Sequence, residues 1–540
     1  MSRRGLAGDP GAVTPAQVLA GVLLAVVVLW LLAPFAGNDP PAGLTASNAP
    51  WTDEGFNLAN ARERVLGGRF ATGDVDRSLT NGAYSALAAA TFAVTGPSLA
   101  AGRALSMAAT AAAVLLFALG LARPLGRPAA LLAAAALGGS DLMLEHGRLA
   151  LVEATVVALL AGALVLAARA AERPSAAAGA GLGLLVAAAV SVKANALLPG
   201  LVLLAVLLAA AAARRDRRAL RMGLAGLGTL VLAAAAWLAV VALPNWDRLA
   251  TSVRIWPTVE YLGAPAAVAG RVGRYLADAD GALARSLPLL VAAALGLGFL
   301  VRRWPWLPPA ARDTLVMGGL WGIGLWLAVA VGDYLPGHYI APNRYVVPAL
   351  PGLAVLAGFG LAELAALAGR ARDRGPGAPS ARARRRTSLV AVALGLAVAV
   401  PGVAVYLDGA LASGRAREQG QRALAAVLPA DAVVYGAYAP TLLFDTRLTT
   451  LTPWPAADAN VDDPVGRLGV THLLVGPGPA DPTGRVDGLA GHRGAAALAR
   501  VPWGPGEVVL YALPGAAGVG LSPVASPIDY DPQAGPFHQT

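Results

Sequence analysis

The 540-residue sequence contains no cysteine, a single lysine and few charged residues. Without cysteine the chain cannot form disulfides, thiolate metal sites or iron–sulfur clusters, and it has no cysteine nucleophile. Charged residues account for only 14% of the chain, against about 25% in an ordinary soluble domain. The apolar and aromatic residues, at 56%, are too many for a disordered chain. A water-soluble fold is therefore nearly excluded, and disorder is excluded.

The basic residues outnumber the acidic ones by 42 to 32, and Lys193 is the only lysine. The arginines cluster between apolar runs rather than along one face with interleaved aromatics, which argues against nucleic acid as a partner. The expected partner is instead the lipid bilayer. No phosphate-binding loop, dinucleotide glycine motif or His-Glu-x-x-His motif occurs in a credible context. The sequence therefore assigns no cofactor and leaves a divalent cation open.

Apolar runs long enough to cross ~30 Å of hydrocarbon recur along the chain. The first, at about 16–36, follows Arg3 and Arg4, which favours an uncleaved span with a cytoplasmic N-terminus over a signal peptide. The others lie near 102–122, 128–142, 149–168, 176–192, 196–213, 220–243, 284–301, 314–332, 345–368 and 388–407. We therefore expect an all-α polytopic membrane protein with about eleven transmembrane helices.

The distribution of basic residues tests this arrangement independently. The segments that the span count places inside hold half of the 42 basic residues, as the positive-inside rule requires. The Ala-rich stretch 81–96 would be a twelfth span and would invert everything after it, so we predict an interfacial helix there. An odd number of spans puts the C-terminus outside, and the expected location is the plasma membrane.

The sequence divides into three regions. Residues 1–407 form the predicted transmembrane domain, with a first outer loop at about 37–101 that contains interfacial helices. Residues 408–515 are predicted to form a small extracytoplasmic α/β domain, with a helix at 415–428 and strands at 432–436, 472–475 and 508–512. Residues 516–540, rich in Pro and Gly, are predicted to be a flexible tail.

The first outer loop contains two adjacent acidic residues, Asp53 and Glu54. Two carboxylates at an outer membrane surface can place a general base beside a second acid, with apolar surroundings raising a pKa toward the working range. Acidic residues are also favoured in the first turn of a helix, where Thr52 or Asp53 would serve as an N-cap. The sequence leaves both interpretations open.

Three short outer turns, near 141–148, 192–195 and 333–344, carry basic residues on the side where such residues are disfavoured. The charged and polar candidates in and beside them are Glu145, His146, Arg148, Glu153, Lys193, His338 and Arg344. Anion binding is the functional interpretation, and snorkelling to lipid headgroups is the structural one. A histidine in such a turn is by default solvent-exposed. Glu153 should face the protein interior and pair with Arg148 or Lys193.

Four stretches carry a family resemblance: Asp53-Glu54-Gly55, the segment from Tyr84 to Ser106, His146-Gly147-Arg148-Leu149-Ala150, and Asn343-Arg344-Tyr345-Val346-Val347-Pro348. They resemble the GT-C superfamily of integral-membrane glycosyltransferases, within it the protein O-mannosyltransferases of family 39 and the bacterial aminoarabinose transferases of lipid A. The resemblance covers about 15–370. It implies about 11 to 13 spans, interfacial helices in the first outer loop, and a polyprenyl-phosphate sugar as donor.

The same resemblance implies site roles. It makes Asp53 the catalytic base or the group that orients the acceptor hydroxyl, with Glu54 as its partner, and it lets basic residues hold the lipid phosphate. The predicted substrate-binding residues are Glu145, His146, Arg148, Glu153, Lys193, His338, Arg344 and Tyr345, and no metal site is predicted. The stretch 79–84 departs from the His-Pro-Pro-Leu of the mannosyltransferases, and no β-trefoil insert follows, so a protein acceptor is not supported.

The sequence therefore predicts a membrane hexosyl- or pentosyltransferase that uses a polyprenyl-phosphate sugar and an extracytoplasmic acceptor, an envelope glycan, lipid or protein. The alternatives are a secondary transporter or lipid flippase, and a non-catalytic membrane scaffold. Transporters usually carry charge near the bilayer midplane and contain internal repeats, whereas here charge collects at outer ends and no repeat is evident. Placement of Asp53 within about 10 Å of Lys193 or Arg344 would favour the enzyme.

Overall fold

The computed structural model describes residues 13–40, 52–68, 77–254, 282–331, 343–370, 380–453, 462–476, 485–492, 494–503 and 506–514. Up to residue 427 the described chain forms helices, and the strands described lie between 433 and 512. His338, the predicted tail 516–540 and most of the second outer loop lie outside the described residues.

Helix bounds follow the apolar runs of the sequence. The helices of eight or more residues are α1 (Pro15–Leu32), α2 (Thr52–Gly67), α3 (Gly82–Thr95), α4 (Leu99–Gly120), α5 (Arg127–Gly138), α6 (Asp141–Arg148), α7 (Val152–Ala170), α8 (Ala176–Val192), α9 (Leu197–Ala213), α10 (Arg217–Trp237), α11 (Trp246–Arg254), α12 (Ala282–Arg303), α13 (Pro309–Val331), α14 (Leu350–Arg370), α15 (Ala381–Ala412), α16 (Ala416–Val427) and α17 (Arg485–His492). Shorter helical segments are Arg77–Thr80, Ala122–Leu125, Asn343–Val346, Ala439–Leu442 and Pro464–Leu468, with single turns at Ala33–Phe35, Ala194–Ala196, Trp304–Trp306 and Val347–Ala349 and a π-helical turn at Leu238–Ala242. Side-chain oxygens of Thr14, Ser98 and Ser175 cap α1, α4 and α8 by accepting hydrogen bonds from first-turn N–H groups, which is why these helices begin where they do.

Within the described residues, eight helices are long and apolar enough to cross a membrane: α1, α4, α7, α9, α10, α12, α14 and α15, some with a flanking turn. The chain is thus a multi-pass membrane protein. The other three of the eleven predicted spans are the helices α5, α8 and α13, of 12, 17 and 23 residues. At 1.5 Å per residue α5 is only about 18 Å long, so it does not cross ~30 Å of hydrocarbon without the residues that follow it.

The apolar helices differ in how much of their surface the protein covers. In α7 and in the stretch Arg344–Gly369, 72% of the apolar window is buried, whereas in α10 and in Ala381–Val427 the buried share is 11% and 6%. Large apolar side chains such as Trp30, Leu232 and Leu396 are exposed on the outer helices. In water each would forgo about 1.5–3 kcal/mol of burial, so these faces are suited to lipid.

Glycines allow the central helices to approach backbone to backbone. A Cβ on Gly352 of α14 would lie 2.5 Å from the backbone N of Gly322 on α13, and a Cβ on Gly360 would lie 2.5 Å from the backbone N of Gly296 on α12. Small residues at such crossings increase van der Waals contact between helices when lipid supplies no hydrophobic driving force. These glycine contacts place α14 against both α12 and α13, in the centre of the bundle.

The first outer loop contains two helices of different character. Residues 53–62 of α2 are all buried, whereas α3 buries one face through Tyr84, Ala88 and Phe92 and exposes Leu87 and Val94. With 14 residues, α3 is about 21 Å long and too short to cross the hydrocarbon core. Its length favours the predicted interfacial placement.

The segment 141–148 is not the exposed turn that the sequence suggests. It forms α6, whose eight residues are all buried, and α6 packs against α4, α12 and α15. Gly147 makes the contact with α4 possible, since a Cβ there would lie 2.4 Å from the Thr110 hydroxyl oxygen. The default interpretation of His146 as a solvent-exposed histidine is therefore wrong.

The C-terminal region forms a small α/β domain with a mixed five-stranded sheet. Its strands are β1 (Val433–Tyr435), β2 (Thr449–Leu451), β3 (His472–Val475), β4 (Ala496–Trp503) and β5 (Gly506–Ala512), in the order β2-β1-β3-β5-β4. The pairs β1–β2 and β1–β3 are parallel, and the pairs β3–β5 and β4–β5 are antiparallel. The helix α16 packs against β4.

This domain docks on α2. Arg62 donates hydrogen bonds to the carbonyls of Phe444, Thr446 and Leu448 at 2.7–3.0 Å, and its guanidinium lies 5.9 Å from the Phe444 ring centroid. The side chain of Arg62 is 3% exposed. The C-terminal domain therefore covers the helix that carries Asp53 and Glu54.

Candidate functional site

The two adjacent acidic residues point in different directions because both lie on α2. Successive side chains of an α-helix are about 100° apart, and Asp53 and Glu54 occupy its first turn. Asp53 forms an ion pair with Arg344, whereas Glu54 pairs with Arg103 on α4. The two adjacent carboxylates on this helix turn therefore bind two different arginines.

Glu54 is part of a fully buried hydrogen-bond network. Its two oxygens accept from Nε and Nη2 of Arg103 at 2.8 and 2.7 Å, and Oε1 also accepts from the backbone N–H of Ala150 at 2.7 Å. Burial acts to raise the pKa of Glu54, but Arg103 and the Ala150 N–H outweigh it and hold the pKa below its ordinary value. The carboxylate is therefore charged and fully engaged.

Asp53 lies in a more accessible place. The side chains of Asp53 and Arg344 are 12% and 15% exposed, whereas those of Glu54 and Arg103 are 0% and 2% exposed. Arg344 also donates from Nη2 to the Tyr345 hydroxyl at 3.2 Å, and its Nε is buried without a partner among the described residues. Asp53 is therefore the more accessible member of the acidic pair.

Lys193 and Glu153 extend this arrangement. Lys193 Nζ lies 2.5 Å from Glu153 Oε1 and 4.5 Å from the ring centroid of Tyr345. The ring is within cation–π distance of both cations, since the Arg344 guanidinium lies 5.1 Å from its centroid. We call these five residues, Asp53, Glu153, Lys193, Arg344 and Tyr345, the outer charge cluster. It brings together residues that are up to 292 positions apart.

Local structure explains how Lys193 and Glu153 meet. Lys193 is the C-cap of α8 and has an extended backbone conformation, which directs the chain away from the helix axis. Glu153 lies in the first turn of α7 and is 2% exposed. Of the two partners that the sequence allowed for Glu153, the structure selects Lys193.

On α6, Glu145 faces an arginine from another helix. Arg285 of α12 bridges Asp141 and Glu145, at 2.5 Å to an oxygen of Glu145. The bridge fixes α6 to α12 and leaves Oδ1 of Asp141 buried without a partner among the described residues.

His146 is fully buried on the same helix. Its Nδ1 is 2.8 Å from the carbonyl oxygen of Leu142, so a proton on Nδ1 is donated there and Nε2 carries the lone pair. Burial lowers the pKa of His146 against the opposing effect of Glu145 and Glu153. Nε2 has no partner among the described residues, and it is free to accept a hydrogen bond from a hydroxyl.

Arg148 holds the turn that follows the first span. It donates to the carbonyls of Phe35, Asn38 and Asp39 at 2.8–3.2 Å and is 1% exposed. Arg103 donates to the carbonyl of Asn38 as well, at 2.8 Å. Both Nη atoms of Arg148 are thus used within the protein, and Arg148 is more deeply buried than Lys193 and Arg344, whose side chains are 15% exposed.

Asp39, in this turn, gives the protein a pH-dependent stability. Burial raises its pKa from 3.8 to about 6, although Arg103 and Arg417 oppose the shift. Between these pH values the folded state keeps a proton that the unfolded state has lost, so stability falls as pH rises from about 4 to about 6. Two pKa units correspond to about 3 kcal/mol. Asp39→Asn is expected to raise the melting temperature at pH 7.5, with the two proteins converging near pH 4.

The control for this experiment is Asp431→Asn, which changes an exposed aspartate. Melting temperatures of the wild type and both variants are measured from pH 4 to 8 in the same detergent. Parallel curves for Asp39→Asn and Asp431→Asn would contradict the role of Asp39.

Sequence reasoning missed Arg103 and Arg285, which hold Glu54 and Glu145. Both are charged residues near the outer ends of predicted spans, so the rule that singled out Arg344 could have found them. Asn195, two residues after Lys193, has an amide whose Nδ2 and Oδ1 are both buried without a partner among the described residues. Buried polar atoms normally have partners, which makes Asn195 a candidate for substrate contact.

Two predictions about the site remain, the substrate-binding role of His338 and the question of a metal ion. His338 lies outside the described residues. Within the described part of the chain, no group of three or more His, Asp or Glu side chains could hold a metal ion. The described site therefore consists of the outer charge cluster and the polar residues of α6.

Comparison with known proteins gives matches in structure. No protein-family model and no curated protein matches the sequence. The crystal structure of ArnT from Cupriavidus metallidurans in the apo state is 18% identical, with 94% of this chain and 99% of that chain covered at a TM-score of 0.59. The same protein bound to undecaprenyl phosphate is also 18% identical, covers 94% of this chain and 100% of that one, and has a TM-score of 0.56.

An archaeal enzyme shows a more distant likeness. The oligosaccharyltransferase of Archaeoglobus fulgidus is 12% identical, with 84% of this chain and 67% of that chain covered at a TM-score of 0.50. At these identities the likeness concerns the fold, and it extends over the spans and the C-terminal domain. The chain therefore shares its fold with ArnT from Cupriavidus metallidurans.

Proposed function

We propose that this protein is a glycosyltransferase that moves a hexose or pentose from a polyprenyl-phosphate lipid to an extracytoplasmic acceptor in the cell envelope. The observation that carries the proposal is the contact of Asp53 with Arg344, in a cluster that also contains Lys193. A carboxylate beside two cations at a partly accessible surface suits group transfer from a phosphate leaving group. The binding of undecaprenyl phosphate by ArnT, which shares the fold, supports this donor class.

In the proposed reaction Asp53 is the general base. Its carboxylate takes the proton of the acceptor hydroxyl as that oxygen attacks the anomeric carbon of the sugar. The bond between the anomeric carbon and the phosphate oxygen breaks, and polyprenyl phosphate leaves with the bonding electrons. Lys193 and Arg344 stabilise the negative charge that develops on the phosphate.

The ion pairs of the cluster couple donor binding to this base. A phosphate oxygen bound by Arg344 would compete with the Asp53 carboxylate for the guanidinium, and one bound by Lys193 would compete with Glu153. Displacement from Arg344 frees Asp53 for the acceptor hydroxyl. Tyr345, in contact with both cations, keeps them side by side while their anionic partners change.

The other predicted residues receive different proposed roles. His146 Nε2 accepts a hydrogen bond from a hydroxyl of the sugar or the acceptor, and Glu145 is fixed beside it by Arg285. The Glu54 carboxylate and the Nη atoms of Arg148 are engaged by contacts within the protein, and these two residues position α2 and the turn after the first span. The proposed topology is a plasma-membrane protein with a cytoplasmic N-terminus and an extracytoplasmic C-terminal domain.

Lys193→Gln tests the donor site without the chemical step. A charge-assisted hydrogen bond contributes about 1.5–3 kcal/mol, so the variant is expected to bind polyprenyl phosphate about 10- to 150-fold more weakly than the wild type. The measurement is equilibrium binding of radiolabelled polyprenyl phosphate to purified protein in detergent.

The matched control is Arg384→Gln, which removes an exposed cation at the start of α15. It should leave the affinity unchanged. Equal affinities for wild type and Lys193→Gln would remove Lys193 from the donor site, and no binding by the wild type would contradict the proposed donor class.

A further inference from the structure

The C-terminal domain contacts α2 on the face opposite Asp53. Gly55 and Arg62 are seven residues apart and therefore lie on one side of the helix, and both contact this domain. Asp53 is two residues before Gly55, which places it about 200° around the helix, toward Arg344. The helix is thus held between the C-terminal domain and the outer charge cluster.

The contact at Gly55 is close and specific. The Thr441 hydroxyl oxygen accepts a hydrogen bond from the backbone N–H of Gly55 at 3.0 Å. A Cβ on Gly55 would lie 2.1 Å from that oxygen and 2.6 Å from the Thr441 Cα, so the two backbones meet with no room for a side chain. Thr441 therefore caps the first turn of α2 from another domain, two residues from the proposed base.

Further contacts fix the domain relative to the same helices. The carboxylate of Asp445 accepts from the backbone N–H of Leu99 at 2.7 Å at the start of α4 and pairs with Arg417 at 3.1 Å. The helix α4 carries Arg103, which in turn holds Glu54. The segment 439–448 of the C-terminal domain thus contacts α2 at Gly55 and Arg62 and contacts α4, the helix that carries Arg103, at Leu99.

We infer that Thr441 is a positioning residue, by which the C-terminal domain sets the rotation of α2 and so directs the Asp53 carboxylate into the outer charge cluster. The inference rests on the proposed function for its effect on transfer. A rotation of α2 would move Asp53 relative to Arg344 and misalign the base, while Lys193, on α8, would keep its place. Such a rotation should lower kcat and leave donor affinity unchanged, since even a small misplacement of a catalytic group slows the chemical step.

The test compares Thr441→Val, Thr441→Ser and wild type in proteoliposomes. Valine keeps the shape but removes the acceptor oxygen, whereas serine retains it. Thr441→Val should lower kcat about tenfold with the donor KM within twofold, and Thr441→Ser should restore most of the rate. The control is Thr449→Val, the same change at an exposed strand residue of the same domain.

Hydrogen–deuterium exchange provides a readout that does not depend on transfer. Amides of α2 should exchange faster in Thr441→Val than in Thr449→Val or Thr441→Ser. An active wild type with unchanged kcat in Thr441→Val would overturn the inference and leave the proposed function standing. A wild type that uses no polyprenyl-phosphate sugar would overturn the proposed function, and unchanged exchange in α2 would then also overturn the coupling between domain and helix.

Discussion

Asp53→Asn is expected to lower the rate of sugar transfer by about 10²- to 10⁴-fold, the usual contribution of a general base. Asparagine keeps an oxygen that can accept from Arg344 but cannot take a proton from the acceptor hydroxyl. The protein should remain folded, because the Asp53–Arg344 pair is partly exposed. Donor affinity should be retained or improved, because the phosphate no longer competes with a charged carboxylate for Arg344. Initial rates at several donor concentrations separate the two effects.

The matched control is Asp313→Asn. Asp313, on α13, accepts hydrogen bonds from both Nη atoms of Arg214 at 2.7 and 2.5 Å. Arg214 lies in the turn between α9 and α10. This variant loses an Asp–Arg pair of the same kind, so a general effect of such a loss would appear in both. Full transfer activity in folded Asp53→Asn protein would show that Asp53 is not the base.

Glu54→Gln is expected to destabilise the fold by about 3–5 kcal/mol, because it leaves the guanidinium of Arg103 buried without a compensating charge. Arg103 is 2% exposed and also holds the carbonyls of Ala36 and Asn38. The loss should therefore loosen both α2 and the turn after the first span. The midpoint of thermal unfolding in detergent measures it.

Glu172→Gln is the control for this prediction. Glu172 pairs with Arg123 at 2.5 Å, but the two side chains are 21% and 37% exposed, and such pairs contribute about 0–1 kcal/mol. If Glu54→Gln were as stable as Glu172→Gln and yet lacked activity, Glu54 would take part in the chemistry, as the sequence first suggested. We expect instead that the Asp53 substitution lowers the transfer rate and that the Glu54 substitution lowers the stability of the fold.

The sequence predicts the fold well where local rules decide the structure. Every predicted span contains an apolar helix, because hydrophobic length is a strong signal, although the span predicted at 128–142 is divided between α5 and the start of α6. The predicted strands at 432–436, 472–475 and 508–512 overlap β1, β3 and β5, since alternating and β-branched residues identify them. The strands β2 and β4 were not predicted, and they and the register of the sheet depend on tertiary pairing, which no local pattern specifies.

The site was predictable in composition but not in geometry. The rarity of Lys193 and the position of Arg344 at an outer end singled both out, and the structure places them 4.5 and 5.1 Å from the ring centroid of Tyr345. The sequence could not distinguish Asp53 from Glu54, because their partners lie on other helices, 291 and 49 residues away. It also predicted a turn at 141–148, since a buried helix with four charged or titratable residues looks like an exposed loop when its distant partner Arg285 is not known.

The most direct test of the proposed activity is the incubation of purified, folded wild-type protein with a panel of radiolabelled polyprenyl-phosphate sugars, in lipid and with envelope extract as acceptor. The account predicts that at least one donor is consumed, with release of polyprenyl phosphate, and that Asp53→Asn protein consumes it at least 100-fold more slowly while still binding polyprenyl phosphate. Persistence of every donor in the presence of folded wild-type protein, or equal consumption by Asp53→Asn, would contradict it.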